Sequence, residues 1–550
     1  MLRRNQFSEA VRQAGEMERL VRGHPCNIMV TYINEPFPMG RGKLHRHLSR
    51  LELERFFEAA SHAVHQENPD RVIKPVDGDY DPPGPGLPDN HCYCGWYNGH
   101  GVDLGKLHRG YWQKVKPGWR YGCGEFGAEG LDPVSVMRGH YPPAWLPADA
   151  DEERTWMPDR IIDAQTGRFH YMWFDTQHSV ADWVAASQAH QAWTTRLMTD
   201  AFRRDSRMVS IAIHLFIDAF PSGWMKTIMD VERGPKPAYF VYRDALTPLM
   251  VSLRSDRTGF WAGEQMAFEA WVCNDLDRAP SGALLHYQLE VGGQVVFSQR
   301  AAADVPACSS TCQGMIQITA PSVSDRTDAV VRLGLLAADG AVLHDASLEI
   351  AIFPRTAIAS RPVHVIGGAD SSAGRLAREL GLRPGDAPEA RTILVSDLDD
   401  YAQQAGSIEQ AVRAGAHAIF LNLPPGQHAI LGDTVEVKPA GMNPRHFASR
   451  ATGHPLVAGF RPHDFRFWYD ADAGYVTPLL DSTFDVTPVA GWSPILLSGN
   501  GNWLGQWGPA WAAAQRPCGA GRVTVCQIAL AGRTAGNPVA RIFAARLLDA

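Results

Sequence analysis

The stretch Ile28-Met-Val-Thr-Tyr-Ile-Asn34-Glu35-Pro36 is an apolar run that ends in a polar pair and a proline. An apolar run of this length predicts a strand buried on both faces, as in a parallel sheet. The segment Tyr121-Gly-Cys-Gly-Glu125-Phe-Gly127 also places an acid near the end of a predicted strand. Its glycines let another molecule approach the backbone. In a barrel of parallel strands the carboxyl ends form the active-site face, so both segments place an acid where chemistry is expected.

Helical and strand patterns alternate around these two segments. The predicted elements are helix 7–21, strand 26–33, helix 51–65, strand 72–76, strand 92–97, helix 107–115, strand 120–126, helix 180–203 and strand 209–217. Alternation of this kind predicts βα units that build a parallel sheet.

The pattern changes at about residue 248. Residues 248–355 contain short alternating segments, with Gly292-Gly293 as a hairpin signal, and predict a β-sandwich. Beyond residue 356 apolar strands and helices alternate again, which predicts a doubly wound α/β domain. We therefore expect a multidomain protein of α/β and β parts, divided into 1–247, 248–355 and 356–550.

Two carboxyl groups at two strand ends suit the hydrolysis of glycosidic bonds. Hydrolysis with retention uses two carboxyl groups about 5–5.5 Å apart, one protonated to release the leaving group and one ionised to attack the anomeric carbon. An Asn-Glu dipeptide alone is weak support, since most such pairs are solvated loop ends or helix caps. The order of Asn34-Glu35, an aromatic segment at 91–97 and Glu125-Phe-Gly127 favours an active site.

This order resembles glycoside hydrolase family 2, the family of β-galactosidases, β-glucuronidases and β-mannosidases, over roughly residues 5–250. The resemblance implies a retaining exo-β-glycosidase with Glu35 as general acid/base and Glu125 as nucleophile. It also implies that residues 1–247 hold strands four to eight of a (β/α)8 barrel. The carbohydrate substrate follows from the same resemblance.

The resemblance further implies a set of substrate-binding residues. Tyr93-Cys94-Gly95-Trp96-Tyr97 matches a Tyr-x-Gly-Trp-Tyr motif of the family, which makes Tyr93 the phenol that orients the nucleophile and assigns Tyr97 to the same pocket. Asn34 is expected to bond the sugar 2-hydroxyl. His214 lies where some relatives carry a stacking tryptophan. Trp224 either stacks on a sugar or packs in the core.

Two further features near the motifs have alternative interpretations. His91 is interpreted as a buried structural histidine rather than a metal ligand, and we expect no metal or other cofactor. The insertion 130–177 either roofs the pocket or forms a small core of its own; its aromatic residues are Tyr141, Trp145, Trp156, Tyr171 and Trp173.

The parts beyond residue 247 also carry resemblances. The sandwich at 248–355 resembles the immunoglobulin-like domain that follows the barrel in family 2. Residues 356–550 resemble the class I glutamine amidotransferase-like domains, but the segment 418–425 lacks the cysteine of active members, which predicts a non-catalytic domain. A nucleotide-binding loop at Gly367 to Gly374 is a weaker alternative, because its glycine spacing departs from Gly-x-Gly-x-x-Gly.

Composition excludes several other classes. A formal net charge of −7 gives no electrostatic footprint for nucleic acid. Nine scattered cysteines suggest neither a disulfide framework nor a zinc site, and the sequence has no signal peptide and no apolar run of about 18 residues that would predict a membrane span. The compartment is unknown, and the oligomeric state stays open, with a homo-oligomer among the options.

The length of the barrel segment favours a truncated reading frame. A complete barrel needs about 250 residues, and the resemblance leaves only five of eight strands in this chain. The alternative function is therefore a catalytically inactive carbohydrate-binding or assembly fragment of such an enzyme.

Overall fold

The computed structural model describes residues 3–36, 48–78, 80–84, 86–96, 102–110, 118–161, 173–221, 226–385, 390–440, 445–501 and 507–549. The chain divides into two compact units, each described by itself. The first consists of Met1–Tyr93, Gln113–Gly127 and Asp205–His214; the second consists of Cys94–Trp112, Ala128–Arg204 and Leu215–Ala550.

Two helices of the first unit flank its core. Helix α1 spans Phe7–Val21, as the apolar spacing predicts, and α2 spans Arg50–Glu67. A capping box begins α2, because the Ser49 hydroxyl accepts from the Glu52 N–H while the Glu52 carboxylate accepts from the Ser49 N–H. The buried core comprises Leu53, Phe56, Phe57, Ala60, Val76 and Tyr80.

Parallel pairing organises the short strands of this unit. The strands are β1 Met29–Val30, β2 Ile33–Asn34, β3 Val72–Ile73, β4 Val76–Asp77, β5 Tyr121–Phe126 and β6 Met208–Ile213. β1 pairs with β3, β2 with β4 and β5 with β6, all in parallel. The chain between β4 and β5 joins β5 through parallel bridges from Asp89 to Gly122 and from Cys92 to Phe126.

The strand predicted at 92–97 is wrong beyond its first residues. Cys92 makes a single bridge, and Cys94–Trp96 form a turn instead of continuing the strand. Gly95 lies at the centre of this turn and favours it. Because β-propensity depends on context, the aromatic and apolar pattern does not produce a strand here. The strand predicted at 209–217 likewise ends at Ile213.

Several helices occupy the second unit ahead of its sheets. They are α3 Leu104–Arg109, α4 Val134–His140, α5 Ala150–Glu153, α6 Val180–Arg203 and α7 Pro237–Ala245. The bounds of α6 agree with the predicted helix. Within the described part of the insertion, Tyr141, Trp156 and Trp173 are buried, and the Trp173 indole donates to the Trp96 carbonyl. These contacts favour a core role for the aromatic residues of the insertion.

Two sheets with a shared apolar core follow α7. Their strands are β7 Leu249–Arg254, β8 Gly259–Trp261, β9 Gln265–Asn274, β10 Leu284–Val291, β11 Gln294–Ala302, β12 Ser309–Thr319, β13 Thr327–Leu336 and β14 Val342–Phe353. One sheet has the order β11-β10-β13-β14-β8 and the other β12-β9-β7. Gly292 and Gly293, with φ of 58° and 77°, turn the predicted hairpin between β10 and β11.

The C-terminal part is a mixed sheet of ten strands. Its parallel half has the order β16-β15-β17-β18-β26, a doubly wound arrangement. The elements are β15 Pro362–Ile366, α8 Ser372–Glu379, β16 Arg383–Pro384, β17 Thr392–Val395, α9 Leu398–Arg413, β18 His417–Leu421, β19 Gly426–Ile430, β20 Asp433–Pro439, β23 Ser482–Thr487, β24 Ser493–Gly501, β25 Trp507–Cys518, β26 Gly521–Cys526 and α10 Pro538–Asp549, with the hairpin β21 Tyr469–Asp470 and β22 Tyr475–Val476 beside them.

The predicted combination of α/β and β parts is confirmed. The division at residues 247 and 355 stays a prediction. Within the described ranges, no helix combines the length and the apolar character needed to cross a membrane.

Candidate active site

Glu35 lies immediately after β2, where the parallel pairing with β4 ends. Its N–H donates to the Asp77 carbonyl oxygen at 2.8 Å. Its backbone has φ of 42°, in the left-handed region that non-glycine residues rarely adopt, and such strained residues cluster at active sites. The side chain is 38% exposed, and Asn34 beside it is also exposed. The acid is therefore accessible at the carboxyl end of its strand.

Glu125 lies near the end of β5 and is more enclosed, with 19% of its side chain exposed. The Tyr93 hydroxyl donates a short hydrogen bond to Glu125 Oε2. His214 Nε2 lies 3.6 Å from the same oxygen, and the rings of Tyr93 and His214 meet edge to face at 5.9 Å. Two aromatic residues thus orient one oxygen of the Glu125 carboxylate.

His91 is fully buried between the two acids. Its Nδ1 lies 2.8 Å from Glu35 Oε1 and 3.4 Å from Glu125 Oε2. Burial lowers the pKa of His91, but the hydrogen bond to Glu35 and the charges of Glu125, Glu35 and Asp89 outweigh it, so the pKa lies above the ordinary 6.5. A hydrogen on Nδ1 satisfies both contacts, because a carboxyl oxygen without a proton accepts hydrogen bonds.

A buried ion pair supports the chain next to the acids. Lys74 Nζ lies 2.7 Å from Asp89 Oδ2 and also contacts the Asp77 carboxylate. Asp89 Oδ1 accepts from the Gly78 N–H at 2.8 Å and from the Gly124 N–H at 3.0 Å. Burial lowers the pKa of Lys74, whereas the two carboxylates raise it by more, so the ammonium form is favoured. Asp89 therefore links the segment after β4 to the residue that precedes Glu125.

Gly78 gives the site the space that it needs. A Cβ at this position would lie 2.7 Å from Cε1 and Nε2 of His91 and 3.0 Å from Glu35 Cγ, and its φ is +91°. Both the close approach and the left-handed backbone require glycine. The imidazole can occupy its position only because this residue has no side chain.

Three side chains of the site could together hold a divalent cation. One ligand atom each from Glu35, His91 and Glu125 lies within 4.8 Å of the other two. Carboxylate and imidazole donors are common ligands of zinc and other transition metals. The sequence predicts no metal here, and this grouping has no counterpart among the predicted sites.

Most of the predicted site residues are brought together. Glu35, Tyr93, Glu125 and His214 share one cluster, and Asn34 lies next to it on the chain. Tyr97 and Trp224 lie outside the described residues.

Lys74, Asp77 and Asp89 carry no local sequence pattern that predicts a place beside the acids, and His91 is predicted only as a buried structural residue. A signal for His91 was present, because residues two apart in an extended segment point to the same face, and Tyr93 was already assigned to the site.

The sequence and the structure of this chain were compared with those of known proteins. No family model matches the sequence, and no curated protein matches it. Among solved structures, the chain is similar to a β-D-mannosidase from Dictyoglomus thermophilum at 15% identity and a TM-score of 0.44, covering 63% of this chain and 41% of that one.

Two other similar structures come from different organisms. An exo-chitosanase of Amycolatopsis orientalis has 15% identity, a TM-score of 0.39 and coverage of 62% and 39%. A β-glucuronidase of Bacteroides uniformis has 14% identity, a TM-score of 0.28 and coverage of 66% and 38%. The chain thus spans between 38% and 41% of the length of these structures. They are enzymes of glycoside hydrolase family 2, the family that the sequence motifs resemble.

Proposed function

We propose that this chain carries the catalytic pair of a retaining exo-β-glycosidase, with Glu35 as acid/base and Glu125 as nucleophile. The observation that carries the proposal is the spacing of the two acids, whose ligand oxygens lie within 4.8 Å. Retaining glycosidases hold their carboxyl groups about 5–5.5 Å apart, whereas inverting enzymes need about 6.5–9.5 Å to admit a water molecule. A bound of 4.8 Å between one oxygen of each carboxyl group is closer to the retaining arrangement than to the inverting one.

The surroundings of each acid support its role. Glu125 is oriented by the Tyr93 hydroxyl, as an attacking carboxylate must be to reach the anomeric carbon. Glu35 is the more exposed acid, which suits a group that meets the leaving oxygen and later a water molecule. Asn34, adjacent and exposed, is placed to bond a sugar hydroxyl.

The reaction has two balanced steps. Glu35 gives its proton to the glycosidic oxygen while Glu125 attacks the anomeric carbon, so that the alcohol leaves and a glycosyl ester forms. Glu35 then removes a proton from water, and the resulting oxygen attacks the same carbon and releases the Glu125 carboxylate. The sugar is released with its original configuration.

We also propose the finer architecture that the sequence suggested. The parallel pairings at residues 29–126 and 208–213 support strands four to eight of a (β/α)8 barrel within 1–247. The two sheets at 249–353 support an immunoglobulin-like domain. The parallel order around β18 supports an amidotransferase-like domain at 356–550, and Asn422, with φ of 50°, occupies the turn after β18 where active members carry cysteine. This domain is therefore proposed to be non-catalytic.

Covalent labelling tests the function. The chain is incubated with 2-deoxy-2-fluoro β-galactoside, β-mannoside and β-glucuronide reagents carrying activated leaving groups, and peptides are mapped by mass spectrometry. We expect one adduct, on Glu125, from at least one reagent. The exposed Glu58 on α2 offers a control, since Glu58→Gln is expected to label like the parent chain.

The labelling result separates the main proposal from its alternative. An adduct on another residue would contradict the assignment of the nucleophile. Saturable binding of a β-glycoside without labelling or turnover, unchanged in Glu125→Gln, would instead identify an inactive carbohydrate-binding or assembly fragment.

A second candidate function, metal-dependent hydrolysis, is favoured by the same cluster, since Glu35, His91 and Glu125 could bind one cation. Dialysis against EDTA distinguishes the two functions. Metal-dependent hydrolysis requires loss of activity after dialysis and recovery with Zn²⁺ or Mn²⁺. The glycosidase proposal expects activity to survive dialysis and added Zn²⁺ to inhibit, because the cation would occupy both carboxylates.

Gly78→Ala is expected to lower turnover about 100-fold with little change in KM, because the new methyl group displaces the His91 ring and the Glu35 side chain from the reactive geometry. Steady-state kinetics on an aryl β-glycoside measure the effect. The control is Gly84→Ala, whose Cβ would meet nothing within 4 Å. Equal kinetics for the two variants would contradict the tight packing of Gly78 against His91 and Glu35.

A further inference from the structure

We propose that His91 is a positioning residue that holds Glu35 at its reactive separation from Glu125 through a single ring nitrogen. The inference rests on the proposed function and names a residue that acts through the acid/base. Its basis is the position of Nδ1, which lies 2.8 Å from one carboxylate and 3.4 Å from the other.

The ring is well suited to fix a distance because its own position is constrained on several sides. It is fully buried, and Gly78 packs against its Cε1 and Nε2 edge so closely that a methyl group would not fit. The Tyr93 ring meets it edge to face at 6.2 Å. The next residue, Cys92, donates its N–H to the Glu125 carbonyl oxygen at 2.8 Å, which ties the ring to the strand of the nucleophile.

Glu35 needs such a constraint more than Glu125 does. Its side chain is 38% exposed and begins from a left-handed residue beyond the end of β2. A partly exposed glutamate samples several rotamers, and a charge-assisted hydrogen bond from a fixed donor selects one of them. His91 is therefore the group that turns Glu35 toward Glu125.

The same geometry assigns tasks to the individual oxygens. The contacts of Glu125 with Tyr93, His91 and His214 all involve Oε2. Oε1 is therefore the oxygen assigned to attack the anomeric carbon. On Glu35 the hydrogen bond from His91 involves Oε1.

A leaving-group series tests this role, since the need for acid assistance depends on the leaving group. His91→Leu is expected to lower kcat/KM about 100-fold for phenyl and alkyl β-glycosides and less than about fivefold for the 2,4-dinitrophenyl β-glycoside, because a misplaced Glu35 fails as an acid only where a proton is needed. His91→Asn retains an N–H donor near the position of Nδ1. It is expected to recover about tenfold of the loss.

A double variant tests whether His91 acts through Glu35. In a Glu35→Ala background, His91→Leu is expected to change the phenyl glycoside rate by less than about threefold, because residues that act as a unit are not additive. A loss equal for all leaving groups, or one that persists in full in the Glu35→Ala background, would overturn the positioning role. If His91→Leu does not fold, the same series on His91→Asn decides, with a tenfold loss confined to poor leaving groups expected.

Failure of the inference is distinguishable from failure of the proposed function. Absence of a Glu125 adduct in the parent chain removes the glycosidase itself and the positioning role with it. A labelled Glu125 in the parent chain, together with a leaving-group-independent loss in both His91 variants, removes only the positioning role.

Discussion

Glu125→Gln is expected to lower kcat for an aryl β-glycoside by about 10⁴-fold or more, as removal of an attacking group does in other covalent catalysts. The amide is nearly isosteric and still accepts from the Tyr93 hydroxyl, so the site keeps its shape. It cannot attack the anomeric carbon, however, and no glycosyl ester forms. Because the loss concerns the transition state, KM should change little while kcat falls.

Azide gives this experiment a second, independent result. In Glu125→Ala the small anion is expected to occupy the space of the carboxylate and to yield the α-glycosyl azide, with inverted configuration. In Glu35→Ala it attacks the glycosyl ester instead and yields the β-azide. Identical azide products from both variants, or unchanged turnover in Glu125→Gln, would contradict the assigned roles. The Glu58→Gln control should retain full activity.

Asp89→Asn is expected to destabilise the first unit by about 3 kcal/mol, since removal of one partner of a buried ion pair typically costs 3–5 kcal/mol. The lower end applies because Lys74 keeps its contact with Asp77. The asparagine Oδ1 can still accept from the Gly78 and Gly124 N–H groups. Its amide nitrogen then replaces the oxygen that accepts from Lys74, so the loss concerns both the charge of the pair and the Lys74 hydrogen bond.

Local hydrogen exchange is the suitable measurement for this variant, because a chain of two units need not unfold in one transition. Peptides covering 72–78 and 121–126 should exchange faster in Asp89→Asn. Adding Lys74→Met should restore part of the protection, since an unpaired buried ammonium is then replaced by an apolar side chain. The exposed Asp70→Asn is the control, with an effect within about 0.5 kcal/mol. Unchanged exchange in Asp89→Asn would contradict a structural role for the pair.

Local patterns predicted the long helices better than the short elements. The strand predicted at 26–33 is observed as β1 and β2, and the helix predicted at 107–115 is observed as α3 at Leu104–Arg109. The helices at Phe7–Val21 and Val180–Arg203 were predicted with their observed bounds, because apolar spacing, capping residues and stop signals all lie within the segments. The segment at 92–97 was wrongly predicted as a strand, since Gly95 and the turn around it outweigh the strand pattern. Short apolar segments are decided by what packs around them, which the segment itself does not encode.

The sequence by itself determined that two acids stand at the ends of strands, Glu35 after β2 and Glu125 near the end of β5, because an apolar run followed by a polar residue is a local pattern. It also determined the glycines on both sides of Glu125. Only the tertiary structure decided that these acids lie within 4.8 Å of each other and that His91 lies between them. The tertiary structure also decided the pairing of Lys74 with Asp89. Such distances depend on how strands far apart in the chain align, and that alignment is fixed by burial and pairing over the whole unit rather than by any one segment.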